Sequence, residues 1–182
     1  MTDAVAQLLP LFPAVPLIAA AFALLAPWRA VRDSIMLIIP GMGIFAGLGL
    51  LMYTMNNGVV AHTVGLYQGN VGIPFAADAF SALMIITTMI VAFGANWFAI
   101  AGGETKSRFY PSLTLILITG VCGALLTADL FNFFVFIEVM LLPSYGLITM
   151  SGTWSRLAAG RAFVLVNFFA STLLVVGVGY MY

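Results

Sequence analysis

One carboxylate stands in the middle of a long apolar stretch. Glu138 is the ninth residue of Leu130–Met150, which is otherwise largely aliphatic and aromatic. At about 1.5 Å per residue it lies near the midplane of a hydrocarbon core about 30 Å thick. An ionised carboxylate is costly there unless it is paired or hydrated, and intramembrane carboxylates commonly mark proton or ion pathways. We therefore predict that Glu138 translocates protons; the alternative is a protonated carboxyl that makes only a structural hydrogen bond.

The neighbours of Glu138 on the same helical face are mostly apolar. Phe134, Leu141, Leu142 and Tyr145 lie three to seven residues away. Such surroundings favour the neutral acid. The Tyr145 hydroxyl could bind a water or a partner group near the carboxyl, or the ring could simply pack with its hydroxyl satisfied elsewhere.

A proline follows the carboxylate by five residues. Pro143 has no N–H to donate to the carbonyl of Val139, so this carbonyl, one residue beyond Glu138, is freed. The free oxygen could contact water or a cation. Pro143 could equally do no more than kink the helix.

The remaining polar residues of the spans have simpler interpretations. Asp129 is suited to N-cap the helix that carries Glu138, with a role in proton exit as the lesser alternative. Asn132, Asn96 and Asn167 are expected to form helix-to-helix hydrogen bonds, and Asn132 is also a supporting residue near Glu138. His62 is the one histidine, so neither a metal site nor a cofactor is predicted.

The composition is that of a membrane protein. Of 182 residues, 63 % are hydrophobic and 7 % are charged, whereas soluble domains are about 25 % charged. The net charge is zero, which argues against a nucleic-acid partner. Cys122 stands alone and cannot form an internal disulfide. The sequence contains no nucleophile elbow, phosphate-binding loop or Cys-x-x-Cys motif, so an enzyme is not predicted.

Six apolar stretches approach the length of about 20 residues that a spanning helix needs. The predicted spans are 5–27, 34–55, 79–101, 111–127, 130–150 and 162–182. The fourth is the shortest, and the turn before the fifth is expected near Thr127–Asp129. We predict an all-α integral membrane protein, in which residues 1–182 form one polytopic bundle of about six transmembrane helices.

All six basic residues fall in alternate loops. They are Arg29, Arg32, Lys106, Arg108, Arg156 and Arg161. The positive-inside rule then places these three loops in the cytoplasm and the N-terminus outside.

The longest outer loop, residues 56–78, alternates partly between polar and apolar residues. It is expected to form a short β-hairpin that turns at Gln68–Asn70. Asp78 is predicted to cap the third span, and Asp33 or Ser34 the second. Gly43 and Gly47, four residues apart, predict close approach of another helix.

The stretch "FNFFVFIEVMLLPSYGLI", with Phe136, Glu138, Met140 and Pro143, resembles the fifth transmembrane helix of the antiporter-like subunits. These subunits occur in Mrp-type multisubunit Na⁺/H⁺ antiporters and in respiratory complex I. "TGVCGALLTADLFNFF" and "VGLYQGNVGIPFAADAFSALM" look more like the D subunit of the Mrp type.

The resemblance implies a role and a missing partner for Glu138. It matches the family's helix-five glutamate, which takes part in proton transfer and pairs with a lysine on a broken seventh helix. Family members have about fourteen helices, whereas this sequence extends only to the expected sixth. We therefore expect the N-terminal part of a longer or split subunit, which would not transport alone.

The leading hypothesis is a proton-translocating subunit of a Na⁺(K⁺)/H⁺ antiporter in a bacterial plasma membrane, with other antiporter subunits and the lipid bilayer as partners. One alternative is a proton-pumping subunit of a complex I-type NADH dehydrogenase. Another is a structural scaffold, in which Glu138 only holds helices together.

Overall fold

The computed structural model describes residues 2–65, 72–150 and 152–181. In this part of the chain the helices are α1 Thr2–Leu8, α2 Leu11–Leu25, α3 Arg29–Asn57, α4 Ala79–Gly102, α5 Tyr110–Leu126, α6 Leu130–Thr149 and α7 Trp154–Met181. A 3₁₀ turn, Glu104–Lys106, lies between α4 and α5. The two strands are β1 Val60–Val64 and β2 Ile73–Ala77.

The helices confirm the predicted membrane bundle. Five helical stretches of the described residues are long and apolar enough to cross a bilayer, the first running through α1 and α2 from Ala4 to Leu25. The sixth apolar helix, α5, has 17 residues and is the shortest, as its sequence predicts. The break between α1 and α2 falls at Leu9–Pro10, because proline has no N–H to continue the helix.

Helices α3 and α4 pack closely through the predicted glycines. A methyl group at Gly43 would lie 2.6 Å from the sulfur of Met89, and one at Gly47 would lie 2.8 Å from Cγ1 of Ile86. Both distances are too short for real carbon atoms, so the two glycines permit this approach.

The predicted cap of α3 is wrong. The helix begins at Arg29, before the predicted span 34–55, and neither Asp33 nor Ser34 caps it. Asp33 lies inside the helix, where its Oδ2 forms an ion pair with Arg29 at 3.4 Å and accepts from the Thr105 hydroxyl at 3.4 Å. The pairing four residues apart is the stabilising i,i+4 arrangement, which favours a helix over residues 29–33.

The last helix also starts earlier than predicted. It runs from Trp154, so Arg156 and Arg161 lie on its first two turns rather than in a loop. The predicted span 162–182 followed apolar length alone, whereas the helix also includes the more polar residues before it.

The predicted β-hairpin is present. Strands β1 and β2 are antiparallel, with Val60 opposite Ala77 and Val64 opposite Ile73. The turn predicted at Gln68–Asn70 lies outside the described residues. Asp78 caps α4 as predicted, because its Oδ1 accepts the Ser81 N–H at 2.7 Å.

Candidate functional site

Helix α6, which carries Glu138, begins at the predicted cap. The Asp129 Oδ2 accepts the backbone N–H of Asn132 at 2.8 Å. The Thr127 hydroxyl accepts the Asp129 N–H at 3.3 Å, which helps to hold the turn between α5 and α6. Asp129 and Asn132 therefore belong to the start of the helix, two turns from Glu138.

The β-hairpin contacts this same turn, a contact that the sequence did not predict. Phe75 of β2 forms a β-bridge with Thr127, and the Ala128 N–H donates to the Pro74 carbonyl at 3.0 Å. The buried ring of Phe75 also contacts the ring of Phe136, with centroids 6.3 Å apart. The hairpin thus fixes the first two turns of α6.

Two glycines of α5 allow this helix to pack closely against α6 beside Glu138. A methyl group at Gly120 would lie 2.7 Å from Met140 Cβ and 2.9 Å from the Phe136 carbonyl oxygen. A methyl group at Gly123 would overlap the ring of Phe136. Phe136 and Met140 flank Glu138 on both sides, so α5 sets the position of the Glu138 backbone. The glycine pair in "TGVCG" is the signal that could have predicted this contact.

Glu138 itself is half-buried in the apolar middle of α6. Its Oε1 is buried and has no hydrogen-bond partner among the residues that the structure describes. A buried carboxyl oxygen without a partner is unfavourable whether the group is ionised or neutral. The arrangement is therefore one that an additional donor, cation or water would complete.

The other residues of the predicted face make separate contacts. Phe134 stacks obliquely on Phe131, with ring centroids 6.3 Å apart, and Phe131 is exposed. Tyr145 packs against α7 instead: a methyl group at Gly160 would lie 3.2 Å from the Tyr145 ring. The predicted face is thus divided between a partly exposed aromatic pair and a contact with α7.

Helices α3 and α6 each contain an interior proline, and they differ in how the carbonyl that it frees is satisfied. Pro40 frees the carbonyl of Met36, and the buried side-chain amide of Asn96 donates to it at 2.9 Å. The buried Pro143 similarly frees the carbonyl of Val139. Within the described ranges, no side chain and no neighbouring helix donates to the Val139 oxygen. Glu138 and Val139 therefore both present oxygens that no other helix of the described chain satisfies.

An ion pair and two asparagines of the described chain have their partners outside α6. The one ion pair in the described residues joins Arg29 and Asp33 near the start of α3. The amide of Asn167 donates to the Phe163 carbonyl in its own helix at 2.8 Å, so the predicted helix-to-helix bond is present for Asn96 and not for Asn167. The described residues contain no group of three or more His, Cys, Asp or Glu residues that could hold a metal.

Comparison with known proteins points to one family. A family model described as NADH:quinone oxidoreductase/Mrp antiporter, TM, matches residues 127–182. The Na⁺/H⁺ antiporter D subunit of Alkalihalophilus pseudofirmus is 38 % identical over 178 residues, covering 92 % of this chain and 35 % of the relative.

Solved structures agree with this similarity. The Mrp complex from Dietzia sp. DQ12-45-1b contains a chain that is 42 % identical, with a TM-score of 0.90 over 94 % of this chain and 33 % of the other. A chain of the membrane-bound sulfane sulfur reductase, an archaeal respiratory membrane complex, is 22 % identical and shares the fold, with a TM-score of 0.82 over 95 % of this chain and 36 % of the other. This chain spans about a third of the length of these relatives.

Proposed function

Because this chain belongs to the family of Mrp antiporter D subunits, of which it spans the N-terminal third, we propose that it works as part of a multisubunit Na⁺(K⁺)/H⁺ antiporter. Within it, Glu138 is protonated and deprotonated during exchange. The observation that carries this proposal is the buried Oε1 of Glu138, in the middle of an apolar helix, without a hydrogen-bond partner in the described chain.

The electrostatics of this position suit a proton-transfer group. The carboxyl is more stable neutral when its surroundings are apolar, and a cation brought close to it stabilises the carboxylate and releases the proton. Withdrawal of the cation restores the neutral acid. The apolar setting supports the first half of this cycle, and the unpartnered oxygen offers a place where the cation or a water could approach.

The Val139 carbonyl extends the same site along the helix. It lies one residue from Glu138 and lacks the N–H that residue 143 would supply if it were not proline. Where the fold satisfies such a carbonyl, as with Asn96 and Met36 in α3, it uses a buried amide from the next helix. We propose that the partner of these two α6 oxygens comes from outside the described residues, either from the rest of a longer subunit or from another subunit.

A respiratory pump subunit is the runner-up. It would use the same carboxylate but work beside redox subunits. The likeness to the sulfane sulfur reductase chain supports the fold alone, whereas the identity to the Mrp chain is about twice as high. Co-purification with redox or quinone-reducing subunits would support the runner-up; co-purification with Mrp-type subunits would support the antiporter.

A bacterial plasma membrane with the N-terminus outside remains the proposed setting. Cysteines introduced in a background without Cys122 can test the orientation, because Thr63 in the hairpin and Lys106 in the opposite loop are both exposed. A membrane-impermeant maleimide should label Thr63→Cys in intact cells and leave Lys106→Cys unlabelled until the cells are opened. The reverse pattern would overturn the proposed orientation.

Exchange itself is tested by Glu138→Gln in the assembled antiporter. The amide keeps the size of the side chain and a hydrogen-bonding oxygen but cannot carry a proton. Glu104→Gln, in the 3₁₀ turn, is the matched control. Loss of Na⁺-dependent dissipation of a pH gradient in the first variant, and retention in the second, is expected. If Glu138→Gln exchanges normally and Glu138→Leu fails to assemble, the scaffold role applies instead.

A further inference from the structure

Three arginines lie around the turn between α2 and α3. Helix α2 ends at Leu25 and α3 begins at Arg29, with Arg32 on the first turn of α3. Arg108 reaches the same region from the segment before α5, because its Nε–H donates to the Leu24 carbonyl at 3.1 Å. We refer to Arg29, Arg32 and Arg108 as the arginine cluster.

The start of α3 lacks the usual stabilising groups. Its N-cap, Trp28, provides no side-chain hydrogen bond, and the first turn contains no acidic residue. The first N–H groups of a helix have no acceptors within the helix and form the positive end of its dipole. Arginines at this positive end of the dipole are unfavourable by themselves. An anion at the start of α3 would be stabilised both by the arginines and by the helix dipole.

Arg32 supplies a second, independent indication. It is only 8 % exposed, and its Nε is buried without a partner among the residues that the structure describes. Arg32 lies on the first turn of α3, beside the free N–H groups of the helix start. A buried guanidinium nitrogen without an acceptor is costly, whereas a phosphate oxygen would be a strong acceptor for it.

The nearby acidic residue is already engaged. The Asp33 Oδ2 contacts Arg29, and the Thr105 hydroxyl lies between them, accepting from Arg29 Nη2 at 2.9 Å. Asp33 therefore offsets the charge of Arg29, and its other oxygen, Oδ1, is buried and has no partner within the ranges that the structure describes. Asp33 does not offset the positive charges of Arg32 and Arg108.

The surroundings favour a lipid over a dissolved ion. Trp28 is 72 % exposed, and Leu25 and Phe109 beside the cluster are also exposed. The cluster lies where two spanning helices end, which is the level of the lipid headgroups, and tryptophan is enriched at that level. Basic groups between helices at a membrane surface bind anionic headgroups. We propose that the arginine cluster binds the phosphate of an anionic phospholipid.

Trp28 allows a direct test in nanodiscs that contain the full chain. The chain has three tryptophans, so Trp97→Phe and Trp154→Phe leave Trp28 as the single fluorophore. Brominated phosphatidylglycerol and brominated phosphatidylcholine are compared as quenchers at equal mole fraction in a phosphatidylcholine bilayer. Stronger quenching by the anionic lipid is expected. In Arg32→Gln, the relative association constant should fall about fivefold, the typical contribution of one basic residue at a membrane surface.

Control variants and added phosphate distinguish lipid binding at the arginine cluster from the alternative explanations. Arg161→Gln removes an exposed arginine from α7 and should keep the preference for phosphatidylglycerol. If Arg32→Gln loses helicity by circular dichroism, Arg108→Gln provides the same test from an exposed position. Equal quenching by both lipids in the parent, or an unchanged preference in the cluster variants, would overturn the proposal. So would loss of the preference on adding inorganic phosphate, which would identify a free-phosphate site.

Discussion

The contact between α5 and α6 makes a quantitative prediction at Gly120. A methyl group there would lie 2.7 Å from Met140 Cβ, 2.8 Å from the Met140 backbone nitrogen and 2.9 Å from the Phe136 carbonyl oxygen. Two of these three atoms belong to the backbone of α6, which cannot turn away as a side chain can. Since ordinary contacts begin at 3.4 Å, Gly120→Ala requires α6 to retreat by at least about 0.6 Å.

The cost follows from overpacking a well-packed contact. Such insertions destabilise by about 1–3 kcal/mol. Alanine also favours the helix over glycine by about 1 kcal/mol, which partly offsets the clash in Gly120→Ala. Gly94→Ala in α4 provides the matched control, because no atom lies within 4 Å of its added methyl group. The control gains the same helical preference without the clash.

The free energy of unfolding of both variants can be measured in mixed micelles of mild detergent and dodecyl sulfate, followed by circular dichroism. We expect Gly120→Ala to be less stable than Gly94→Ala by about 1–3 kcal/mol, because the propensity gain cancels in this comparison. Equal stability of the two variants would contradict the close seating of α6 on α5.

Two further predictions concern groups that hold the bundle. Asn96→Ala removes the donor to the Met36 carbonyl and should destabilise the fold by about 1–3 kcal/mol. The same change in a Pro40→Ala background should cost less, because residue 40 then supplies an N–H to that carbonyl. An additive double-mutant cycle, measured by unfolding in detergent, would refute this. The Ser81 N–H lowers the pKa of Asp78 below 3.8. The carboxylate therefore stabilises the fold at neutral pH, and this contribution disappears as pH falls below 3.8 through the folded-state pKa. Asp78→Asn should flatten the dependence of the unfolding free energy on pH in that range, and an unchanged pH dependence would argue against the cap.

Local sequence signals predicted the parts of the structure that depend on neighbouring residues. Asp129 and Asp78 were identified as caps because an acidic residue preceding an apolar run can bond the free N–H groups of the first turn. The alternation in residues 56–78 predicted the hairpin for a similarly local reason. The same capping rule gave a wrong prediction for Asp33, because its i−4 neighbour is an arginine and the ion pair lies inside the helix.

The contacts that shape the site were not predictable in this way. The hairpin residue Phe75 reaches Thr127 and Phe136, more than fifty residues later, and no periodicity in either segment encodes that pairing. The Asn96–Met36 bond likewise joins residues sixty positions apart. Glu138 was found because a single carboxylate in an apolar run is conspicuous, yet its partner cannot be derived from α6 alone.

The role of Glu138 in exchange is the central claim, and one measurement tests it most directly. Everted membrane vesicles containing the assembled antiporter are energised, and Na⁺ or K⁺ is added while the pH gradient is followed by a fluorescent dye. We expect cation-dependent dissipation in the unsubstituted protein and in Glu104→Gln, and none in Glu138→Gln at equal expression and assembly. Undiminished exchange by an assembled Glu138→Gln variant would contradict the proposed role of the carboxylate.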